Sequence, residues 1–258
     1  MSIDADALRA LLSDTRWHTI EVVESTGSTN ADLIERCLTE DVGGTVRITG
    51  DQTAGRGRHT RVWSAPAGAQ VALSAAVPAG GQTEHLGWLS LIAGLAVAQA
   101  VQQVTGVRPT LKWPNDVLID DRKVCGILSE YAATTTGGVA VIGSGINTSM
   151  TEEQLPVPTA TSLGIVTGRA VPETELAAAY LRSLSDLLER WPGDVAGLAQ
   201  MYRDRSDTIG RQVRLLLPGD DEVVGVATGV DAAGRIVIDA DGREVVAAAG
   251  DVTHLRAD

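Results

Sequence analysis

The sequence predicts an α+β protein in two parts: residues 1–205, where helical and extended patterns interleave, and residues 206–258, which read as a small β-barrel. Two observations carry this. Before residue 204, several segments repeat apolar residues with a helical period, most clearly 173–190, while others alternate or run apolar as strands do. After residue 211 no helical period remains; short apolar runs at 213–217, 223–230, 235–238 and 245–248 are separated by Gly and Asp turns. A chain of 258 residues with 44% hydrophobic and 21% charged residues can bury a substantial core of this kind.

In order, residues 4–12 form a short helix with Asp4 and Asp6 in the first turn, where carboxylates offset the helix dipole. Residues 18–24 alternate as a strand. Ser25-Thr26-Gly27-Ser28-Thr29-Asn30 then leads into a helix at 31–38, with Ser28 or Thr29 as its N-cap. Strands follow at 45–49 and 70–77, and a long central helix at 83–105. The most apolar run, 86–104, is interrupted by Ser90, Gln99, Gln102 and Gln103, which predicts a buried helix and not a membrane span. Short strands at 111–113 and 117–119 flank Pro114; a turn at 120–122 leads to strands at 124–131 and 139–146. Residues 151–161, with Pro156 and Pro158, lack any period and read as a mobile loop. Helices at 173–190 and 193–202 complete the larger part.

The net charge of −12 argues against nucleic acid or an anionic membrane as partner of the surface as a whole. Cys37 and Cys125 supply no disulfide framework, and the acidic N-terminal segment has no basic leader pattern, so a reduced, cytoplasmic location is expected. There is no Gly-Lys-Ser/Thr phosphate loop, Gly143-Ser144-Gly145 lacks the spacing of a hydrolase elbow, and the four histidines have no metal-ligand spacing.

Positive charge is concentrated instead. Residues 51–63, Asp-Gln-Thr-Ala-Gly-Arg-Gly-Arg-His-Thr-Arg-Val-Trp, follow a strand and combine Gly55 and Gly57 with Arg56, Arg58 and Arg61. Glycine permits close backbone approach and guanidiniums present planar donor forks, so the stretch suits a phosphate-bearing ligand. Taken alone, Gly-Arg-Gly-Arg reads as a solvated basic loop. A second stretch alters this: of 21 Lys plus Arg only two are lysines, Lys112 and Lys123, and both fall within 111–130. Surface charge does not require Lys in an Arg-rich chain, whereas neutralising one oxygen with a compact point charge does.

Gly55-Arg56-Gly57-Arg58 with Trp63, Lys112-Trp113-Pro114-Asn115-Asp116, Arg122-Lys123-Val124-Cys125-Gly126-Ile127-Leu128-Ser129-Glu130 and Gly143-Ser144-Gly145-Ile146-Asn147, preceded by Ser28-Thr29-Asn30, stand in the order of the biotin protein ligases. The chain resembles that family over nearly its whole length. It departs at His59 and Thr60, where the family has Arg-Gly; the missing Gly bears on how fully the loop wraps a ligand.

The resemblance implies a mixed sheet with helices packed on it, like class II aminoacyl-tRNA synthetases, and an SH3-like C-terminal barrel. It implies ATP-dependent formation of biotinyl-5'-AMP with release of pyrophosphate, then transfer to a lysine of a biotin carboxyl carrier domain of an acyl-CoA carboxylase. Ser28, Thr29, Asn30, Gln52, Gly55 and Gly126, with Arg56, Arg58 and Lys112, would bind biotin. Arg56, Arg58, Arg61, Trp63, Lys112, Asn115 and Asn147 would bind ATP and the adenylate, with Trp63 against the adenine. Lys112, Arg56 and Asp116 would be catalytic, Asp116 as base for the acceptor lysine. Magnesium would arrive on the ATP phosphates, since no side-chain metal motif is present. Only residues 1–27 precede the Ser-Thr-Asn motif, so no DNA-binding winged helix is expected; the protein is expected to be a monomer or weak homodimer. Because nothing in 55–61 can enter a core, that loop is expected to order only over the adenylate.

Overall fold

The computed structural model describes residues 3–80, 83–134, 137–219 and 221–255. The chain opens with α1 (Ala5–Leu11), capped by Asp4, whose Oδ1 accepts from the N–H groups of Asp6 and Ala7 at 3.0 Å. Then come β1 (Thr19–Val22), α2 (Thr29–Arg36), β2 (Thr45–Thr49), β3 (Gln70–Pro78), α3 (Gly87–Thr105), β4 (Thr110–Lys112), β5 (Asp116–Ile119), β6 (Arg122–Ala132) and β7 (Val139–Asn147). Their strands form one seven-stranded sheet in the order β1-β2-β3-β7-β6-β5-β4. β1 and β2 pair in parallel and every other pair is antiparallel, the expected mixed sheet.

Strand alternation divides this sheet between two packing environments. Val71, Leu73, Ala75 and Val77 of β3 and Ala140, Ile142 and Ile146 of β7 join the main core with α3 and α5 (Glu173–Arg190). On the alternate positions, Ala76, Val139 and Val141 pack with Leu33 and Cys37 in a second cluster beside α2. The apolar α3 is thus an interior helix: Leu89, Ile92, Leu95, Ala96 and Val101 are almost wholly buried. It begins at Gly87, later than the expected 83. A Cβ at Gly87 would lie 2.5 Å from the carbonyl oxygen of Ala233, so the helix start is built to meet the C-terminal part.

α6 (Val195–Arg203) starts where the Asp194 side chain caps the Gly197 N–H, shortening the expected 193–202 helix at its front. Residues 151–161 are better anchored than their lack of period suggests. They hold a 3-10 turn (Glu152–Gln154) closed by a capping box, Arg122 binds Glu152, and Lys123 exchanges backbone hydrogen bonds with Thr159 and Thr161. The short α4 (Leu163–Thr167), capped by Ser162 and ended by a left-handed Gly168, was too brief for its period to register.

β8 (Gln212–Leu216), β9 (Glu222–Val230), β10 (Ile236–Ala240), β11 (Arg243–Ala247) and β12 (Asp251–His254) form a separate antiparallel sheet in the order β11-β10-β9-β8-β12. β12 was not anticipated. The inward residues Val213, Leu215, Ala227, Ile236, Ile238 and Val252 belong to the same continuous core as the larger sheet. Trp88 Nε1 donates to Ala232 O at 3.0 Å and Trp113 Nε1 to Gly234 O at 3.3 Å, tying both to the β9–β10 turn. Trp88 is fully buried. Replacing it with Ala removes a large core side chain and this tie, and is expected to cost about 3–5 kcal/mol, measured as a lower denaturation midpoint.

Candidate active site

The site lies on the α2 face of the seven-stranded sheet, at the point where side chains give out. Along β7 that face carries Val139 and Val141 and then Gly143 and Gly145; Gly145 stands in register with Gly126 of β6 and Ala72 of β3. The result is a side-chain-free floor. Above it is a cavity of about 360 Å³, within the range of small-molecule sites.

At one end the floor meets α2. Ser28 caps this helix, its Oγ accepting from Ala31 N–H at 3.4 Å, so of the two expected cap residues it is Ser28. Gln52 Oε1 accepts from Thr29 N–H at 2.9 Å and Thr29 Oγ1 at 3.2 Å. Asn30 donates to Leu128 O and to Glu130 Oε2, both at 2.9 Å, and accepts from Ser74 Oγ at 2.6 Å. Ser28, Thr29 and Asn30 are each buried by nine-tenths or more, so this is a preorganised polar pocket and not a solvated loop.

At the other end lies Trp63. Its indole spans Gly126 and Gly145: a Cβ would meet the ring at 2.8 Å from the first and 2.5 Å from the second. Trp63 Nε1 donates to Gln70 Oε1 at 2.7 Å, and Lys123 Nζ sits 5.5 Å from the ring centroid. Lys123 also forms a 2.6 Å ion pair with Asp116 Oδ1. Asp116 therefore reaches the cavity with its carboxylate already engaged.

The arginine loop is docked. Gly57 N–H donates to Arg61 O, Trp63 N–H donates to Gly55 O, and Arg56 bridges to Val62. Arg56 Nη2 lies 2.6 Å from Glu130 Oε2; Arg58 donates to Gly250 O at 3.2 Å and to Asn115 Oδ1 at 3.4 Å; Arg61 pairs with Asp251. Burial pushes the Arg58 guanidinium below its ordinary value, opposed by Asp251 and Asp116 and assisted by Arg61. The premise that nothing in this loop can pack was wrong, because its partners are charges and carbonyls from distant elements. His59 and Thr60 still adopt positive φ, 51° and 61°. A β-branched residue pays for that geometry, so Thr60→Gly is expected to stabilise the protein by about 1 kcal/mol, read as a higher melting temperature.

Lys112 ends β4 in register with Asp116, half-buried at the cavity wall. Its ammonium forms no ion pair among the described residues. Most expected residues thus converge on one cavity, but two do not. Gly55 is buried beneath the loop, a Cβ there colliding with the Trp63 carbonyl, and Asn147 is buried with its amide donating to Thr161 O at 2.9 Å. Neither lines the cavity; both support its walls. Glu130 and the β12 residues Asp251, Val252 and Thr253 line or bind into the site unanticipated. Alternation along β6 could have flagged Glu130; nothing local marks β12. Cys125 is fully buried and its thiol is pushed well up by burial, so it is no nucleophile.

The family model for the biotin/lipoate A/B protein ligases matches residues 20–147, and that for the biotin protein ligase C terminal domain matches 208–255. The biotin--[acetyl-CoA-carboxylase] ligase of Mycobacterium tuberculosis is 44% identical, the alignment covering 98% of this chain and 96% of the relative. The bifunctional ligase/repressor BirA of Escherichia coli is 32% identical over 91% of this chain and 73% of the relative. The biotin protein ligase from Aquifex aeolicus, solved in complex with biotin and ATP, superposes with a TM-score of 0.76 at 25% identity, covering 93% of this chain and 100% of that one. With the polar pocket, the arginine loop and the glycine floor all on one face of this fold, the chain belongs to the biotin protein ligase family.

Proposed function

We propose that this protein activates biotin with ATP and transfers it to a lysine of a biotin carboxyl carrier domain, as an ATP-dependent biotin protein ligase. The observation that carries this is Lys112: an ammonium with no ion-pair partner among the described residues, lining one cavity with a polar pocket and an indole lying on bare glycine. The pocket of Ser28, Thr29 and Gln52 suits a ureido ring, and Trp63 with its glycine floor suits an adenine. Lys112 then lies where the biotin carboxylate would meet the α-phosphate.

When a carboxylate oxygen attacks that phosphorus and pyrophosphate departs, charge grows on the non-bridging oxygens beside Lys112. A preorganised cation favours the transition state over the ground state there. Arg56 and Arg58 supply forks to the phosphates, held in place by Glu130 and Gly250. In the second step an acceptor amine attacks the acyl carbon and AMP leaves. We assign the removal of the amine proton to Asp116, which must first release Lys123. Magnesium would travel on the ATP phosphates, as a hard cation that keeps several waters and binds through phosphate oxygens does. The carrier domain as acceptor, action in the cytoplasm and the lack of duplex binding belong to the same proposal, the last supported by the net charge of −12.

The test is exchange of labelled pyrophosphate into ATP with biotin, lipoate, octanoate or no acid. Exchange with biotin alone is expected. Exchange with lipoate or octanoate alone would replace biotin as the substrate, and no exchange with any acid would defeat the proposal.

A further inference from the structure

The wall that holds Lys112 is built from an unexpected place. The linker residues 205–208 lie along β4 and bond it on one side: Leu111 N–H donates to Arg205 O at 2.9 Å, Asp207 N–H donates to Leu111 O at 2.8 Å, and Trp113 N–H donates to Thr208 Oγ1 at 3.1 Å. Leu111 and Trp113 are thereby fixed. Lys112, between them, is left on the cavity side.

Thr208 is wholly buried, and its Oγ1 lies 3.1 Å from Nε2 of His254, the last residue of β12. Nδ1 of His254 lies 3.4 Å from Asp207 Oδ2, a buried oxygen with no hydrogen-bond partner among the described residues, so the contact between them is electrostatic. Arg211 holds the other carboxylate oxygen. A neutral ring allows one proton arrangement of this set. Thr208 accepts from Trp113 and donates to Nε2, which leaves the Nδ1 proton facing Asp207.

We propose that His254 is a positioning residue for the reaction at Lys112, acting through an Asp207–His254–Thr208 relay that fixes the Trp113 N–H. The inference rests on the ligase function proposed above. β12 then clamps the site at both ends, because Asp251 anchors the arginine loop while His254 anchors the Lys112 strand. On protonation the ring loses the lone pair that accepts from Thr208, so the Thr208 hydroxyl must turn to accept from Nε2–H and Oγ1 is then shared between that donor and the Trp113 N–H. Burial, then Lys112, hold the His254 pKa below its ordinary value, with Arg211 acting the same way and Asp207 and Asp121 opposing. Asp116 and Lys123, on the same opening, are paired with each other. The folded pKa being depressed, the neutral arrangement holds at neutral pH and is lost on the acid side.

The test compares biotin-dependent pyrophosphate exchange in the full-length wild type, His254→Ala, His254→Gln, and His254→Ala combined with Thr208→Val. His254→Ala is expected to lower kcat about 10-fold with the KM for biotin little changed, because the ureido pocket lies on other elements. The double variant should be at least as slow as His254→Ala, since Thr208→Val also removes the acceptor of the Trp113 N–H, but the two losses should not multiply in full because both break one relay. His254→Gln can accept from Thr208 but does not titrate; it should retain most of the neutral rate and lose the acid limb of the wild-type profile. Wild-type kcat in a folded His254→Ala, or a His254→Gln profile with the wild-type acid limb, would overturn the inference. If His254→Ala does not fold, the His254→Gln profile decides alone. A wild type without biotin-dependent exchange would instead overturn the ligase function, and this inference with it.

Discussion

Lys112→Arg is expected to lower biotin-dependent pyrophosphate exchange by about 10²–10³-fold, the loss that follows removal of one aligned transition-state donor. The substitution keeps the charge, so the size of the loss tests geometry. Arg56 and Arg58 already bring two planar forks to the cavity, and each is braced by partners from other elements. Lys112 has no such brace among the described residues. Its compact ammonium can approach a single oxygen shared between the attacking carboxylate and the α-phosphate, whereas a guanidinium is longer, planar and directed at two acceptors. Because Lys112 forms no ion pair among the described residues, the variant should melt within about 2 °C of the wild type, as changes outside a buried network do. Near-wild-type exchange by Lys112→Arg would show that any cation suffices, and the special place given to lysine in this chain would fall.

Gly145→Ala should be nearly as damaging by a different route. Its added methyl would stand 2.5 Å from the Trp63 indole nitrogen, and the strand behind it is hydrogen-bonded to both β3 and β6 and cannot retreat. The ring must therefore move, giving up its 2.7 Å bond to Gln70 and its seat over Gly126. Nucleotide affinity is expected to fall by about 10²-fold, roughly the worth of one stacked aromatic plus a buried hydrogen bond. Biotin affinity should change much less, since the α2 pocket is separate. ATP titration followed by Trp fluorescence would measure this, and unaltered ATP affinity would mean that Trp63 does not receive the nucleotide. Gly145→Ala combined with Trp63→Ala should recover no binding, because both changes remove the same platform.

Much of this architecture was legible in the sequence because it is written in local periods. The strand at Thr45–Thr49 and the helix at Glu173–Arg190 fall where alternation and the 3.6-residue stripe place them, and the change of pattern after residue 211 marks the second sheet. The motif residues Arg56, Arg58, Lys112 and Gly126 likewise gather at one cavity. Short elements without a full period, α4 and β12, were not visible, and residues 151–161 looked mobile because their anchors at Arg122 and Lys123 lie far along the chain.

What the sequence determined by itself was the order of elements, the family pattern and the chemical types in the site, since each depends on neighbours within a turn or a strand. What only the tertiary structure decided was their pairing: that Arg61 is held by Asp251, that Asp116 is held by Lys123, that Asn147 supports the wall without reaching the cavity, and that His254 stands behind Lys112. These are contacts across sheet register and between two sheets sharing one core, and no local period encodes which distant charge or carbonyl a side chain will meet.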